Sequence, residues 1–257
     1  MKILFWVSLL VIIYVYLGYP LLAYLFSLLY KKPLAAKYVY PTVSILISVH
    51  NEEINIRNKI NSLMELDYPQ DRLEIIFGSD GSTDGTEEII KRDIEATRPQ
   101  GHKVTLVRQE KRLGKPSMLN KLVKEAKGEI LVFTDARQRL DNNALKELVK
   151  HFADGKVGSV SSELIYEDES PENKSSGGIN LYWEYEKFIR KSESRMGSML
   201  GATGALYAIR SKLFPGLPED MILDDVYIPM KIVEKGYRAV FDSKAKIYDK
   251  VFSATRR

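Results

Sequence analysis

Four side chains stand where a strand-like or loop segment gives way to a turn or a helix: Asp80, Lys115, Asp135 and Asp225. A departing diphosphate gathers negative charge on its oxygens. It needs a divalent ion on hard carboxylate ligands, or a lysine, and Asp135 with Lys115 can supply these. An acceptor hydroxyl needs a base to take its proton as it attacks, and Asp225 is the candidate carboxylate apart from the metal position. A pyrimidine needs an acceptor for its imide N–H, and Asp80, in the turn after a strand, is suited to that. The plainer alternative is that Asp135, and Asp224 with Asp225, only cap the helices that follow them.

The elements that must carry these groups are legible in the pattern. Glu129-Ile130-Leu131-Val132-Phe133-Thr134-Asp135-Ala136-Arg137 reads as a strand buried on both faces whose charge begins at its carboxyl end, the ligand-binding rim of an open α/β sheet. Val43–Val49 is a strand ending in His50-Asn51-Glu52-Glu53, followed by Ile54, Ile60, Leu63 and Leu66 at near-helical spacing. A strand from Leu73 to Phe77 runs through Gly78–Gly85 into a helix from about Thr86 to Thr97, with Asp84 and Glu87 spaced as a capping box. A third strand, Val104–Val107, leads to Gly114-Lys115-Pro116 and a helix to about Ala126. After a helix from about Asn143 to Phe152 and a strand from Val157 to Ser161, Tyr166 to Gly178 reads as a mobile loop. Ile179 to Met196 then reads as an amphipathic helix carrying Tyr182, Trp183, Tyr185 and Phe188. Gly201–Gly204 puts small residues before a strand, Asp224-Asp225 open a helix to about Lys235, and Arg238–Phe241 and Ala245–Tyr248 are short strands. Alternation of this kind predicts an α/β fold with a mixed, mostly parallel sheet and helices on both faces.

From Ile3 to Tyr30 no side chain is charged, which is long enough for a transmembrane helix and too long for the apolar core of a secretory signal. Gly18-Tyr19-Pro20 predicts a kink or a turn onto the membrane interface. Lys31, Lys32 and Lys37 follow the span while Lys2 alone precedes it, so the globular part is expected on the cytosolic side. Residues 1–30 are thus expected to be the anchor, 31–41 a linker lifting the domain off the membrane, with Tyr38 and Tyr40 at headgroup level, 42–250 the catalytic-sized domain and 251–257 a tail. A formal charge of +4 from 38 basic and 34 acidic residues, without a basic aromatic stripe, argues against a nucleic-acid partner. The absence of cysteine excludes disulfides and thiol chemistry. No Gly-x-Gly-x-x-Gly follows a strand, and Gly114-Lys115 lacks the other residues of a Walker loop, so neither a dinucleotide site nor a Walker-type phosphate loop is expected.

Together these motifs resemble the family-2 glycosyltransferases, inverting, nucleotide-sugar-dependent enzymes of the GT-A fold that include the hyaluronan, cellulose and poly-N-acetylglucosamine synthases. The resemblance runs from about Val43 to Tyr248, and the amino-terminal helix with Gly-Tyr-Pro is similar to that of membrane-anchored members. It implies a nucleotide loop at His50, Asn51 and Glu52, a UDP-type base at Asp80 in Ser79–Thr86, the diphosphate at Lys115 and Asp135, and the catalytic base at Asp225 of Leu223-Asp224-Asp225. Thr203, Gly204 and Trp183 would border the acceptor. The resemblance also implies Mg²⁺ or Mn²⁺ at Asp135, although Arg137 stands where the metal motif has its second acid. Arg137 either neutralises phosphates itself or pairs with a surface acid. The later Gln-x-x-Arg-Trp motif and carboxyl-terminal membrane helices of processive members are not found, and Ser253–Arg257 offers no closing element, so the sequence reads as a fragment. The expected partners are a nucleotide-sugar donor, a glycan or lipid-linked acceptor and the membrane. Two rival readings are a polyprenyl-phosphate acceptor and a catalytically silent nucleotide-binding subunit.

Overall fold

The computed structural model describes residues 1–97, 101, 103–167 and 176–250. Four strands, β1 (Val43–Val49), β2 (Leu73–Asp80), β3 (Lys103–Gln109) and β4 (Ile130–Thr134), form a parallel half-sheet in the order β3-β2-β1-β4. Beyond β4 lie β7 (Leu206–Arg210), β6 (Val157–Glu167), β8 (Arg238–Lys250) and the two-residue β5 (Arg139–Leu140). β7 runs antiparallel to both β4 and β6, and β8 runs parallel to β6. The central strands are apolar on both faces because helices cover both. Ile45, Ile47, Phe77 and Val132 pack on α3 (Ile56–Met64), α4 (Thr86–Thr97) and α6 (Ala144–Val149), while Leu46, Ile76, Leu131 and Phe133 meet α5 (Lys115–Glu125) and α8 (Asp224–Glu234).

This topology puts the carboxyl ends of β1, β2 and β4 on one rim. Thr134 pairs with Leu206, so β7 starts at that same rim and brings the preceding glycine-rich turn beside Asp135. β6 and β8 continue past the rim as a paired extension from Glu163/Lys246 to Glu167/Lys250.

Several expectations are corrected here. β8 is one strand of 13 residues rather than two short ones, and β6 runs on to Glu167. The polar residues Asp242, Ser243 and Lys244 interrupt the apolar pattern but not the strand, because a register shift against β6 absorbs them. Ile54 lies outside α3 and is 89% exposed, so it is no core residue. Asp84 does receive the Thr86 backbone N–H at 3.1 Å, but Glu87 takes the Ser79 hydroxyl and the Arg108 guanidinium instead of closing a capping box. The expected loop after Tyr166 falls largely on residues 168–175, outside the described residues, and α7 (Ser176–Met196) starts three residues before the predicted Ile179. The tail 251–257 also lies outside them.

The amino-terminal segment is a single rod, Lys2–Leu29, of mean hydropathy 2.1 and mostly exposed. It comprises α1 (Lys2–Ile13), a π-helical turn (Tyr14–Gly18) and α2 (Tyr19–Leu29), so the expected break at Gly18-Tyr19-Pro20 is a widened helical turn. Its second half lies on α7. Tyr24 meets Phe188 with ring centroids 5.4 Å apart, Tyr185 donates to the Tyr16 carbonyl at 2.9 Å, and Tyr19 donates to Glu193. Residues 31–41 are stitched to the domain rather than holding it at a distance. Lys32 N–H donates to the Arg195 carbonyl, Arg238 to the Lys32 and Pro33 carbonyls, Tyr38 to Glu147, and the Tyr40 ring meets Tyr68 at a tilt of 59°.

Candidate active site

The site is built at the rim from the ends of β2, β4 and β7 and the first turns of α5 and α8. Lys115 opens α5. Its position is fixed by Asp80, which is 2% exposed and accepts the Leu113 N–H at 2.7 Å, the Gly114 N–H at 2.8 Å and the Gln109 amide. Gly114 has φ 94°, a conformation only glycine adopts at low cost, and that turn lets both backbone donors face one carboxylate. From there the Lys115 ammonium reaches Asp135 at 3.0 Å and Asp224 at 3.3 Å. Burial disfavours the ammonium, but Asp135 and Asp224 more than compensate and hold its pKa above the ordinary value. Asp224 is itself fixed by the Tyr207 hydroxyl at 3.1 Å, a fully buried side chain of β7 stacked on Phe133.

Asp225 is different. It is half-buried and no side chain among the described residues donates to it, while its backbone carbonyl takes the Ala202 N–H at 2.8 Å. Its carboxylate leans on Gly204, where a Cβ would stand 2.7 Å from Oδ2. Burial, and then the negative charge of Asp224, raise its pKa. A carboxylate so placed is more basic than an exposed one.

The residues that follow β1 are hooked to the turn after β2. Asn51, at φ 55°, accepts the Thr83 N–H at 2.8 Å, and Glu52 N–H donates to Thr86 at 2.8 Å while the Glu52 carboxylate takes the Asn55 amide. His50 contacts the Asp80 carbonyl at 2.8 Å through Nδ1. Thus His50, Asn51 and Glu52 are tied to the β2 end that carries Asp80, while Lys115, Asp135 and Asp224 form a second cluster on the rim with Asp225 next in the chain. Thr203 and Gly204 adjoin Asp225. Trp183, on α7, is set apart in a neighbouring cavity with Thr203 at its wall.

Arg137 lies on a buried acid, not a surface one. It grips Asp249 of β8 through Nε at 3.1 Å and an η-nitrogen at 2.6 Å, and Gln138 adds a third donor at 3.1 Å. This leaves Asp135 as the single carboxylate of the expected metal motif. Among the described residues no three His, Asp or Glu side chains converge as a metal cage. The donor set fits Mg²⁺ or Mn²⁺ in one manner, with Asp135 as the protein ligand and phosphate oxygens and waters completing the shell, a mode Mg²⁺ commonly uses.

Lys59, Asp249 and Tyr207 are contributors the sequence reading overlooked. Lys59 is fully buried beneath the Asp135 turn and donates to Thr134 Oγ1 at 2.8 Å. Burial lowers its pKa to about 7 despite the opposing charges of Asp135 and Asp249. A signal existed, because Lys59 shares the apolar face of α3 with Ile56, Ile60 and Leu63. For Asp249, at the end of a strand and far from Arg137 in the chain, there was none.

The family model described as Glycosyl transferase family 2 matches residues 44–216. The poly-beta-1,6-N-acetyl-D-glucosamine synthase of Staphylococcus epidermidis is 27% identical over 212 residues, 79% of this chain and 48% of that protein. The beta-monoglucosyldiacylglycerol synthase of Synechocystis sp. is 26% identical over 202 residues, 75% of this chain and 40% of that one. The chain therefore spans about half or less of these curated relatives. Among solved structures, the mannosyltransferase PcManGT of Pyrobaculum calidifontis, in complex with GDP-Man and Mn²⁺, matches with a TM-score of 0.79 at 29% identity, over 96% of this chain and 68% of that one. S. aureus TarS 1–349 with UDP-GlcNAc matches with a TM-score of 0.63 at 19% identity, over 83% and 59%, a likeness of fold.

Proposed function

The chain belongs to glycosyl transferase family 2 and has the GT-A fold, and from that premise we propose that it transfers a sugar from a nucleoside diphosphate donor, a UDP-sugar, to a hydroxyl acceptor with inversion. The observation that carries this reading is the contrast within Asp224-Asp225: one acid is clamped by Lys115 and Tyr207, the next is left unclamped beside Gly204. A single displacement needs one free base and one fixed cation, and the rim supplies both.

In this mechanism the donor base lies along His50, Asn51, Glu52 and Asp80, where Asp80 has three of its roughly four lone-pair sites taken by the 109–114 loop and offers the last to an imide N–H. Lys115 neutralises the diphosphate. A bound divalent ion, held from the protein side by Asp135, would share that charge. Asp225 accepts the acceptor's proton as the new C–O bond forms on the face opposite the leaving oxygen, and the nucleoside diphosphate departs with the bonding electron pair.

The rod Lys2–Leu29 spans the bilayer with the domain on the cytosolic side. Its 28 residues measure about 42 Å against a hydrocarbon core of about 30 Å, which leaves about 12 Å outside, and because the docking on α7 begins as early as Tyr16, that end of α7 lies in the membrane interface. Asp225→Asn is the direct test: transfer from labelled nucleotide sugars should fall about 10²–10⁴-fold, and turnover at the wild-type level would remove Asp225 from the base role. A panel of UDP- and GDP-sugars in the same assay identifies the donor.

A further inference from the structure

Beside these rim residues, β6, β8 and α7 enclose a cavity of about 390 Å³, within the size of small-molecule sites. Its wall includes Tyr166 and Trp183, whose rings meet at 5.6 Å and 45°, and Thr203, one residue before the glycine against which Asp225 rests. Its charges are Lys187 and Arg190 against Glu163, Glu184 and Glu186. Both cations are already matched: Lys187 to Glu163 at 2.7 Å and to Glu184, Arg190 to Glu186 at 2.8 Å and to the Thr203 hydroxyl. Among the described residues the lining thus holds one negative charge in excess.

Resting on the sugar-transfer reading, we propose that this cavity is the acceptor site and that it takes a neutral polyhydroxylated head group, a sugar or glycerol unit, rather than a phosphate monoester. A phosphate carries about −1.5 to −2 charges at neutral pH and would meet excess carboxylate with no unmatched cation among the described lining residues. Hydroxyls suit the same lining, because they donate to Glu163 and Glu186 and accept from Lys187 and Arg190 without burying net charge. The Trp183 and Tyr166 rings offer apolar surface to the C–H face of a sugar ring. The far side of α7 is the helix on which the membrane rod lies, and it exposes Leu181, Tyr182 and Phe188 there, so an acceptor with a lipid tail would enter from the interface.

The test uses binding alone, so its outcome is independent of whether donor is turned over. The chain has two tryptophans, and Trp6→Phe leaves Trp183 as the only reporter. The protein in phospholipid nanodiscs is titrated with octyl glucoside, below its micellar concentration, and with octyl phosphate. The expected result is a saturable change in Trp183 emission with the glucoside at a concentration at least about tenfold lower than with the phosphate, and loss of that response in Glu163→Gln and Tyr166→Ala. Equal or tighter response to the phosphate, no saturation with the glucoside, or a glucoside response that survives both substitutions overturns the assignment.

Discussion

Two groups of acids and cations sit on the same sheet and are built to opposite ends. In the first, Asp242 at the bend of β8 is enclosed by His151 at 2.6 Å and Lys150 at 2.7 Å on one oxygen and by the Lys244 N–H at 2.8 Å on the other, and Glu147 ties Lys150 to Tyr38 of the linker. Burial alone would raise the Asp242 pKa, but these donors pull it down to about 2. In the second, at the rim, Lys115 holds Asp135 and Asp224 while Asp225 beside them has a raised pKa. Asp242, with one oxygen held by two basic side chains and the other by a backbone N–H, is a fastening. A carboxylate left half-exposed beside a fastened neighbour is available to a substrate.

The largest expected effect that would sharpen this contrast is on the fastening. Asp242→Asn leaves Lys150 and His151 without their shared partner and should cost about 3–5 kcal/mol in urea unfolding at neutral pH. The sign of its pH dependence follows from the lowered pKa. The wild-type contribution is complete above the ordinary carboxylate value of 3.8 and is lost as pH falls toward about 2, so the two proteins should converge there. Loss of transfer with unchanged stability would place Asp242 among the functional acids and break the comparison.

Next comes Lys59→Met. Between its folded value of about 7 and its ordinary 10.5 the unfolded chain binds more protons, so the cost of burying this amine is full below pH 7 and fades toward pH 10.5. The substitution should therefore stabilise by roughly 2–4 kcal/mol at pH 6 and by less at pH 9, read from denaturant midpoints. A destabilisation at pH 6 would show that Lys59 remains charged and paired beneath Asp135. The smallest effect is expected at Gly204→Ala, whose added Cβ would lie 2.7 Å from Asp225 Oδ2. Displacing the base without removing it should lower kcat by about 10–100-fold with little change in melting temperature.

Much of this arrangement was legible in the text of the chain. Strands such as Val43–Val49 and Ile130–Thr134 are mostly apolar on both faces because both sheet faces are covered, and their polar ends mark the rim. That rule nominates Asp80 and Asp135 as candidates, whereas Lys115 and Asp225 are nominated at the starts of helices. What escaped was pairing at a distance. Arg137 could be read as a phosphate ligand because nothing near it in the chain predicts Asp249, which is 3% exposed and arrives on the last strand. The role of Asp80 as a brace for the 109–114 loop likewise depends on two backbone N–H groups that residue types do not announce. The linker misled for the same reason, since its lysines, prolines and tyrosines suit a spacer, yet its backbone carbonyls are taken by Arg238 and Arg72.

The central claim is that Asp225 serves as the base, and the pH profile of kcat/KM for transfer tests it most directly. The account predicts an acid limb with its midpoint above the ordinary 3.8, in a range where Asp242 keeps the fold intact, and predicts that this limb disappears from the residual activity of Asp225→Asn. A limb of unchanged midpoint in that variant would assign the titrating base elsewhere and contradict the account.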